Sequence, residues 1–448
     1  MATLNSLKRV EVFPSNRANN SNIWSYKDGN PTLVFNFGVQ DLYLLSNTLR
    51  LNFRYRVRTD TETVPGVPEY PTNNLAGGIE NVLNNEMVNV CSAISSITLA
   101  NSSNQVLEYV RSYPRLLASL IPAGASWGDF STYLQQYFGA TANVANAGQA
   151  ANHEQEVSMP LMCGMFLNGE AIPIGLNGTA GLQIRITLSP SIEANYGANA
   201  QGSYFQLVNP SLTCALGVPE SGSLPKIAAM PYNSFSSFYN VVQNSDETHN
   251  INAGLSRVVS VINNFVPTAH IANNTQDGNR TQYLRNGATA AANGQICPIT
   301  RYTTLRAGLK FPYQFTVDEQ QNLAGNSSTA PAFQGTNYPA QLQRNFLSAV
   351  KPLSQTTETI CGLVSENALS TGANIELNPY NTAGQSITGV GCRYDQLGTG
   401  AGADFKTRTY AHRLQSRLDG NSPNSVYTFM LHKNMINYNN QGGISVAN

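Results

Sequence analysis

A strict alternation of apolar and polar side chains between Leu49 and Val57 most constrains what this chain can fold into. The apolar positions are Leu49, Leu51, Phe53, Tyr55 and Val57, and the polar positions between and after them are Arg50, Asn52, Arg54, Arg56 and Arg58. Successive side chains of a strand point to opposite faces of its sheet. A period of two therefore predicts a β-strand with one buried face.

Similar alternation recurs along the chain. We predict a long strand over residues 304–318, where every odd-numbered position from Leu305 to Val317 is apolar, and shorter strands over 182–188 and 427–431. Residues 96–100 and 105–110 flank the turn sequence 101–104, which predicts a β-hairpin. Charged residues make up only 12% of the chain, about half the usual share. Asparagine, a residue suited to turns, is abundant. The sequence thus predicts an all-β protein with many short strands.

The 448 residues are long enough for two all-β domains. Several features recur at an offset of about 210 residues. The strand at 48–57 has a counterpart at 256–266, the stretch 203–217 has one at 425–439, and amphipathic helices predicted at 113–121 and 130–138 have one from Pro339 to Val350. We predict an N-terminal arm (1–28), a first sandwich (29–217), a linker (218–232), a second sandwich (233–440) and a C-terminal tail (441–448).

The charge balance favours contact between copies. Lys and Arg total 26, as do Asp and Glu, and the isoelectric point is 6.9. Weak repulsion near neutral pH makes association easy. A strongly cationic surface is missing at the level of the chain, so we expect no strong direct nucleic-acid binding. We also expect no secretory signal and no membrane span. The six scattered cysteines predict reduced, mostly buried thiols.

No sequence pattern typical of catalysis or cofactor binding is present. We predict no catalytic, cofactor-binding or metal residues, no cofactor and no enzymatic activity. The five histidines lack ligand spacing, and we expect each to be an ordinary loop or surface residue. The one candidate interaction face is the arginine row Arg50, Arg54, Arg56 and Arg58. It could be a solvated face, a source of salt bridges between subunits, or a contact for nucleic acid or an acidic minor protein.

Two stretches carry a resemblance to a known family. Residues 157–175 contain Pro160-Leu161 and then Ile172-Pro173-Ile174, and the alternating stretch 181–188 follows after a short gap. This order resembles the first jelly roll of double-jelly-roll major capsid proteins. The N-terminal Leu7-Lys-Arg-Val-Glu-Val-Phe-Pro-Ser and the later Phe35-Asn-Phe37 are most similar to the virophage and polinton-like virus branch. The second half offers no equally clear motif, so its jelly roll depends on periodicity.

The resemblance implies an all-β fold of two tandem jelly-roll β-sandwiches, a double jelly roll, with short helices in the loops. It implies a viral major capsid protein that forms a homotrimer with a pseudo-hexameric outline and tiles an icosahedral shell around a DNA genome. The implied partners are other copies of the chain and a penton or minor capsid protein. The implied location is the virion capsid, after assembly inside the host cell.

Three alternatives stay open at this point. A carbohydrate-binding or glycan-hydrolysing β-sandwich fits the fold class, but it would need clustered carboxylates or exposed tryptophans, and the chain has only Trp24 and Trp127. A minor capsid or spike protein is closer, although a penton-type protein needs one jelly roll rather than two. An outer-membrane barrel suits the alternating strands but not the predicted helices or the expected lack of a signal peptide.

Overall fold

The computed structural model resolves into two compact units. The first unit comprises residues 1–114, 131–235 and 433–448, and the second comprises residues 115–130 and 236–432. The residues that the structure describes are 4–16, 22–38, 40–59, 93–124, 154–167, 171–175, 181–189, 203–220, 222, 224, 229–267, 299–311, 348–349, 389–395, 402–416, 423–438 and 444–447.

The described residues are dominated by strands. The strands up to residue 219 are β1 Leu4–Val12, β2 Ile23–Trp24, β3 Thr32–Asn36, β4 Tyr43–Thr59, β5 Ile94–Ala100, β6 Val106–Arg111, β7 Glu154–Pro160, β8 Ala171–Pro173, β9 Gln183–Leu188 and β10 Ser203–Pro219. Helix α1 is Tyr113–Gly124, and the short helix α2 is Gly164–Leu167. The later strands are β11 Ala229–Val241, β12 Asp246–Ile251, β13 Val258–Pro267, β14 Ile299–Arg306, β15 Leu309–Lys310, β16 Gly389–Arg393, β17 Tyr410–Ser416, β18 Pro423–Tyr438 and β19 Ile444–Ala447. No described helix is long and apolar enough to cross a membrane.

The strands up to β10 form two sheets. One has the order β1-β10-β4-β7, with β2 added to β10 and β8 added to β4, and the other has the order β3-β9-β5-β6. If the eight main strands are numbered along the chain, these orders are 1-8-3-6 and 2-7-4-5. All the pairings are antiparallel. Eight strands that pass between two sheets in this way form a jelly roll.

The strands from β11 to β18 repeat this arrangement. Their sheets have the orders β11-β18-β13-β16 and β12-β17-β14-β15, which are again 1-8-3-6 and 2-7-4-5. Strand β13 takes the place of β4, and β18 takes the place of β10. The repeat predicted from the offset of about 210 residues is therefore confirmed as a repeat of topology. The protein is all-β, with two tandem jelly-roll sandwiches and short helices between strands.

Several local predictions are confirmed. Strands β5 and β6 form the predicted hairpin, and the side-chain oxygen of Asn101 accepts hydrogen bonds from the backbone N–H groups of Ser103 and Gln105. Strand β9 has every second residue buried. The helix predicted at 113–121 is α1. Of the six cysteines, Cys163, Cys214 and Cys392 are described, and these are free and buried.

The long strand predicted over residues 304–318 is wrong in its described part. The chain turns at Ala307 and Gly308, which both have positive φ (49° and 79°), and β15 pairs back onto β14. Positive φ at both central residues defines the tight hairpin turn that matches the twist of two strands. Leu309 is consequently 75% exposed, not part of a buried face. Residues 312–318 lie outside the described part of the chain.

Some predictions fall largely on residues that the structure does not describe. The helix at 130–138 lies outside them, and of the helix from Pro339 to Val350 only Ser348 and Ala349 are described, both helical. Within the predicted arm, Leu4–Val12 forms strand β1 and pairs with β10 from Val12–Leu212 to Leu4–Pro219. The predicted boundaries of the arm, linker and tail stay predictions.

Candidate interaction face

The arginine row lies on the outer side of β4, in the first unit. Leu49, Leu51 and Phe53 are buried on one face of the strand, as the alternation predicts, while Arg50 and Arg54 are half-buried on the other face. Arg56 and Arg58 belong to the same strand, but their side chains lie outside the described part of the structure. The backbone thus places all four arginines along one face of β4.

The neighbouring strands bring opposite charges to this row. In the antiparallel register, Arg54 of β4 lies directly opposite Glu156 of β7, and Arg56 lies opposite Glu154. Oppositely charged residues at facing positions of two strands stabilise a sheet by about 0.2–1 kcal/mol. The glutamates were not singled out from the sequence, because their place beside the arginines depends on a pairing between residues about 100 positions apart.

Between the arginines, a chain of hydrogen bonds crosses three strands. Asn52 Nδ2 donates to Thr213 Oγ1 of β10 at 2.9 Å, and Ser158 Oγ of β7 donates to Asn52 Oδ1 at 2.6 Å. These bonds hold β10, β4 and β7 in register on the outer side of the sheet. The arginine side chains therefore project from a fixed polar surface rather than from a loop.

Strand β1 adds a further charged residue on the other side of β10. Thr213 of β10 lies opposite Arg50 on one side and opposite Glu11 of β1 on the other. The face consequently mixes arginines with glutamates and is not uniformly basic. A mixed face suits bidentate arginine–carboxylate contacts with another protein better than it suits a nucleic-acid backbone, which needs clustered cations.

A buried carboxylate elsewhere in the first unit was not predicted from the sequence. Glu108 of β6 is only 2% exposed, and its carboxylate accepts three backbone hydrogen bonds. The donors are the N–H groups of Gly164 (2.8 Å), Met165 (3.0 Å) and Phe235 (2.8 Å). Burial raises the pKa of Glu108 to about 7, although the three amide hydrogen bonds act to lower it.

The position of Gly164 explains how one carboxylate can reach both segments. A Cβ atom on Gly164 would lie 2.7 Å from the Cα of Ser234, so the start of α2 and strand β11 approach each other closely only because Gly164 lacks a side chain. Glu108 of β6 stabilises this contact, because its carboxylate accepts hydrogen bonds from both segments. The arrangement holds three segments together but leaves no carboxylate oxygen facing solvent, which fits a structural role better than a catalytic one.

The expectation for the histidines is wrong for the three that the structure describes. His249, His412 and His432 lie in strands and are at most 5% exposed. Each side chain lies on a covered face of its sheet. The spacing of the histidines along the sequence does not reveal this burial. His153 and His270 lie outside the described residues. Within the described residues, no three metal-ligating side chains come together.

Large exposed apolar side chains gather on the outermost strands of the four sheets. The edge strands concerned are β1, β6, β11 and β15, one in each sheet. The exposed residues that they carry are Leu7, Val106, Tyr109, Tyr239, Val241 and Leu309. Apolar side chains on edge strands are common sites of contact between protein chains.

Comparison with known proteins gives a match in structure alone. No family model matches the sequence, and no curated protein matches it either. A quasi-atomic model of the PBCV-1 virus capsid covers 100% of this chain and 98% of its own, with 10% identity and a TM-score of 0.56. A crystal structure of PBCV-1 VP54, fitted into a reconstruction of the virophage Sputnik, covers 100% and 98%, with 11% identity and a TM-score of 0.53.

A third solved structure, the Faustovirus major capsid protein, covers 97% of this chain and 90% of its own, with 9% identity and a TM-score of 0.50. Identities near 10% establish a shared fold and nothing finer. The likeness spans both halves of the chain, and it agrees with the repeated 1-8-3-6 and 2-7-4-5 strand orders. This chain therefore has the double jelly-roll fold of viral major capsid proteins.

Proposed function

We propose that this chain is a viral major capsid protein, with no enzymatic activity, that forms homotrimers and tiles an icosahedral shell around a DNA genome. The observation that carries the proposal is the repeat of one eight-strand topology within a single chain. Three chains with two similar sandwiches each supply six similar blocks. Six such blocks can form a ring with a nearly hexagonal outline, which packs without gaps on a surface.

The surface properties support assembly. Exposed apolar residues stand on edge strands of both sandwiches, and the zero net charge gives little repulsion between copies. A three-fold ring needs head-to-tail contacts, in which two different surfaces of one chain meet. Further contacts with a penton or minor capsid protein at the vertices, and assembly inside the host cell before the virion leaves, belong to the same proposal.

The alternatives receive less support. Trp24 would have to be exposed to stack on a sugar ring, but it is 1% exposed, and Trp127 lies outside the described residues. Glu108, the described carboxylate with the most shifted pKa, is enclosed by backbone amides. For a minor capsid or spike protein, a second complete sandwich would be superfluous. The doubled topology favours the major subunit.

Purified protein is expected to sediment at three times the chain mass of 48.4 kDa, because one sandwich pair alone leaves the apolar edges exposed to water. Analytical ultracentrifugation measures this mass directly. Negative-stain images of concentrated protein should then show particles with a hexagonal outline, or plates and shells made of them. A monomer that persists at high concentration, or a hydrolytic activity, would contradict the proposal.

We further propose that the arginine row contacts another copy of the chain. Replacing Arg54 by glutamate is expected to weaken association between copies by about tenfold or more, since close charge pairs across interfaces contribute several kcal/mol when they are truncated or reversed. Sedimentation velocity over a concentration series gives the change. Arg408→Glu, at an exposed position of the second unit, is the control and should leave association almost unchanged.

The pairing of Arg54 with Glu156 provides a sharper test. If Arg54 serves only the sheet, the double exchange Arg54→Glu with Glu156→Arg restores the opposite charges at facing positions and restores association. If Arg54 contacts another copy, the double exchange leaves association weak while the melting temperature recovers. Full recovery of association would contradict an intermolecular role for this residue.

A further inference from the structure

Two histidines face each other inside the second unit. His249 of β12 and His412 of β17 lie directly opposite in the antiparallel register, and their ring centroids are 5.1 Å apart. They are 5% and 0% exposed. Neighbouring positions on β12 show that this is the inner face, because Thr248 and Asn250 are exposed while Ile251 is buried. The pair therefore lies in the interior of the sandwich.

The ring nitrogens of this pair are poorly satisfied. Nε2 of His249 and both ring nitrogens of His412 are buried, and within the described part of the chain they meet no hydrogen-bond partner. A protonated imidazole carries two N–H donors and needs an acceptor for each. Here a proton on His412 would find no acceptor among the described residues. The surroundings thus accommodate the neutral ring and not the charged one.

The aromatic neighbours of His412 offer it no negative charge. The rings of Tyr302 and Tyr410 lie 5.9 and 6.0 Å from it, centroid to centroid. The hydroxyls of both tyrosines accept hydrogen bonds from Asn263 Nδ2. Burial raises the pKa of each hydroxyl, so both stay neutral. Among the described residues of this core, the other titratable groups are Cys392 and Tyr394, and burial keeps them neutral as well.

Charged groups near the pair do not compensate for a proton. Glu247 precedes His249 by two residues and raises its pKa, but burial lowers that pKa more strongly. The ion pair between Asp246 and Arg413 belongs to the exposed face of the same two strands. Arg306, on the inner register of β14, donates to the backbone carbonyl of Asp404 and lies over the Phe311 ring. Protonation of either histidine would therefore place an uncompensated positive charge beside its neighbour.

We propose that the His249–His412 pair makes the second unit acid-sensitive, so that proton uptake separates β12 from β17 and loosens this sandwich while the first unit keeps its fold. The inference depends on the packing of the second unit alone and holds whether or not the chain forms a capsid. The two sandwiches would then differ in their response to mild acid: the first keeps its fold, and the second opens.

The pH range follows from the direction of the shifts. Burial, with a smaller contribution from His249, lowers the pKa of His412 to about 3 from its ordinary value of 6.5. The folded state therefore keeps this ring neutral while the unfolded chain takes up a proton below pH 6.5. The stability linked to His412 is present above pH 6.5 and is lost as the pH falls toward 3. Between pH 7.5 and 4.5 the unfolding equilibrium constant rises roughly 100-fold.

Hydrogen exchange on the full-length protein tests the proposal. After correction for intrinsic exchange rates, amides of β12 and β17 are expected to open roughly 100-fold more often at pH 4.5 than at pH 7.5. Amides of β5 and β9 in the first unit should open less often at pH 4.5, because the raised pKa of Glu108 stabilises that unit as the pH falls. His412→Phe and His249→Phe should each reduce this acid response. His432→Gln is the control, because His432 Nε2 already contacts Ser236 Oγ at 3.0 Å.

Two outcomes would overturn the inference: an acid response of β12 and β17 that survives in both phenylalanine variants, or equal opening of the two units. Should the variants fold poorly, carbon-13 labelling of the imidazoles in the unaltered protein decides the question by NMR. We expect the His412 ring to stay neutral at pH 5.5 and the His249 ring to titrate below its ordinary pKa of 6.5. A proton on either ring near pH 6.5, with the sandwich still closed, refutes the proposal.

Discussion

Replacing Glu108 with alanine is expected to lower the free energy of unfolding of the first unit by about 4 kcal/mol. The carboxylate of Glu108 accepts hydrogen bonds from three buried backbone N–H groups. Alanine leaves all three donors without that acceptor, and each unsatisfied buried amide costs about 1–3 kcal/mol. The start of α2 and strand β11 should then separate from β6.

Thermal and denaturant unfolding of the full chain measure this loss, and hydrogen exchange locates it. The amides of Gly164 and Phe235 should lose protection first, because these two donate to Glu108 directly. Glu11→Ala is the matched control, since Glu11 is an exposed glutamate of the same unit. We expect that control to change stability by no more than about 0.5 kcal/mol. A loss below about 1 kcal/mol in Glu108→Ala would mean that the three amides find other acceptors.

Glu108 also sets a pH dependence opposite to that of the buried histidine pair. Its folded-state pKa is raised to about 7 from 4.5, so the folded chain holds this proton more tightly than the unfolded chain does. The associated stability is complete below pH 4.5 and is lost as the pH rises through 7, by roughly 3 kcal/mol in all. Glu108→Gln should remove this dependence on pH while retaining part of the amide contact.

The sequence was most informative where one face of a strand meets water. Alternation identified β4 because Leu51 and Phe53 are buried while Arg50 and Arg54 are not, and the turn chemistry of Asn101 identified the β5–β6 hairpin. The offset between halves also predicted the repeat, since strands in equivalent places of two similar sandwiches need similar lengths and spacings. These features are local, and local patterns survive in a single sequence.

The strand predicted over residues 427–431 is confirmed as part of β18, but the pattern did not identify its buried face, because burial there does not alternate. Strand β18 lies inside its sheet order, and Thr428, Phe429 and Met430 are all buried, so its two faces cannot be told apart from hydrophobicity. Conversely, the alternation near residue 307 continues through a hairpin turn, because Ala307 and Gly308 match the pattern by chance while their positive φ values reverse the chain. A period of two indicates a strand but not its end.

The sequence could not predict the long-range partners of polar residues, for a different reason. Glu108 and His412 look like ordinary polar positions of a strand, and nothing near them in sequence shows that they face inward. Glu108 depends on donors 56 to 127 residues away. The glutamates opposite Arg54 and Arg56 likewise lie beside the arginine row only through the pairing of β4 with β7. Such contacts require the topology first.

Replacing Asn263 with alanine is expected to destabilise the second unit by about 3 kcal/mol. Asn263 of β13 joins both sheets of this sandwich, since its Nδ2 donates to the hydroxyls of Tyr302 and Tyr410 and its Oδ1 accepts from Thr428 Oγ1 at 2.6 Å. Alanine removes these three hydrogen bonds from a core that excludes water, and it leaves a cavity beside the two rings. Denaturant unfolding gives the loss, and hydrogen exchange at β13 and β18 assigns it to this unit.

Two variants separate the hydrogen bonds from the packing. Tyr410→Phe removes the 3.2 Å bond to Asn263 and the hydrogen bond between the Tyr410 and Tyr302 hydroxyls, and it is expected to cost about 1–2 kcal/mol, less than Asn263→Ala. Asn250→Ala, at an exposed position of β12, controls for the loss of an asparagine side chain as such and should be nearly neutral. If Asn263→Ala proved no more harmful than Asn250→Ala, the amide would not be what joins the sheets, and their adhesion would depend on apolar packing alone.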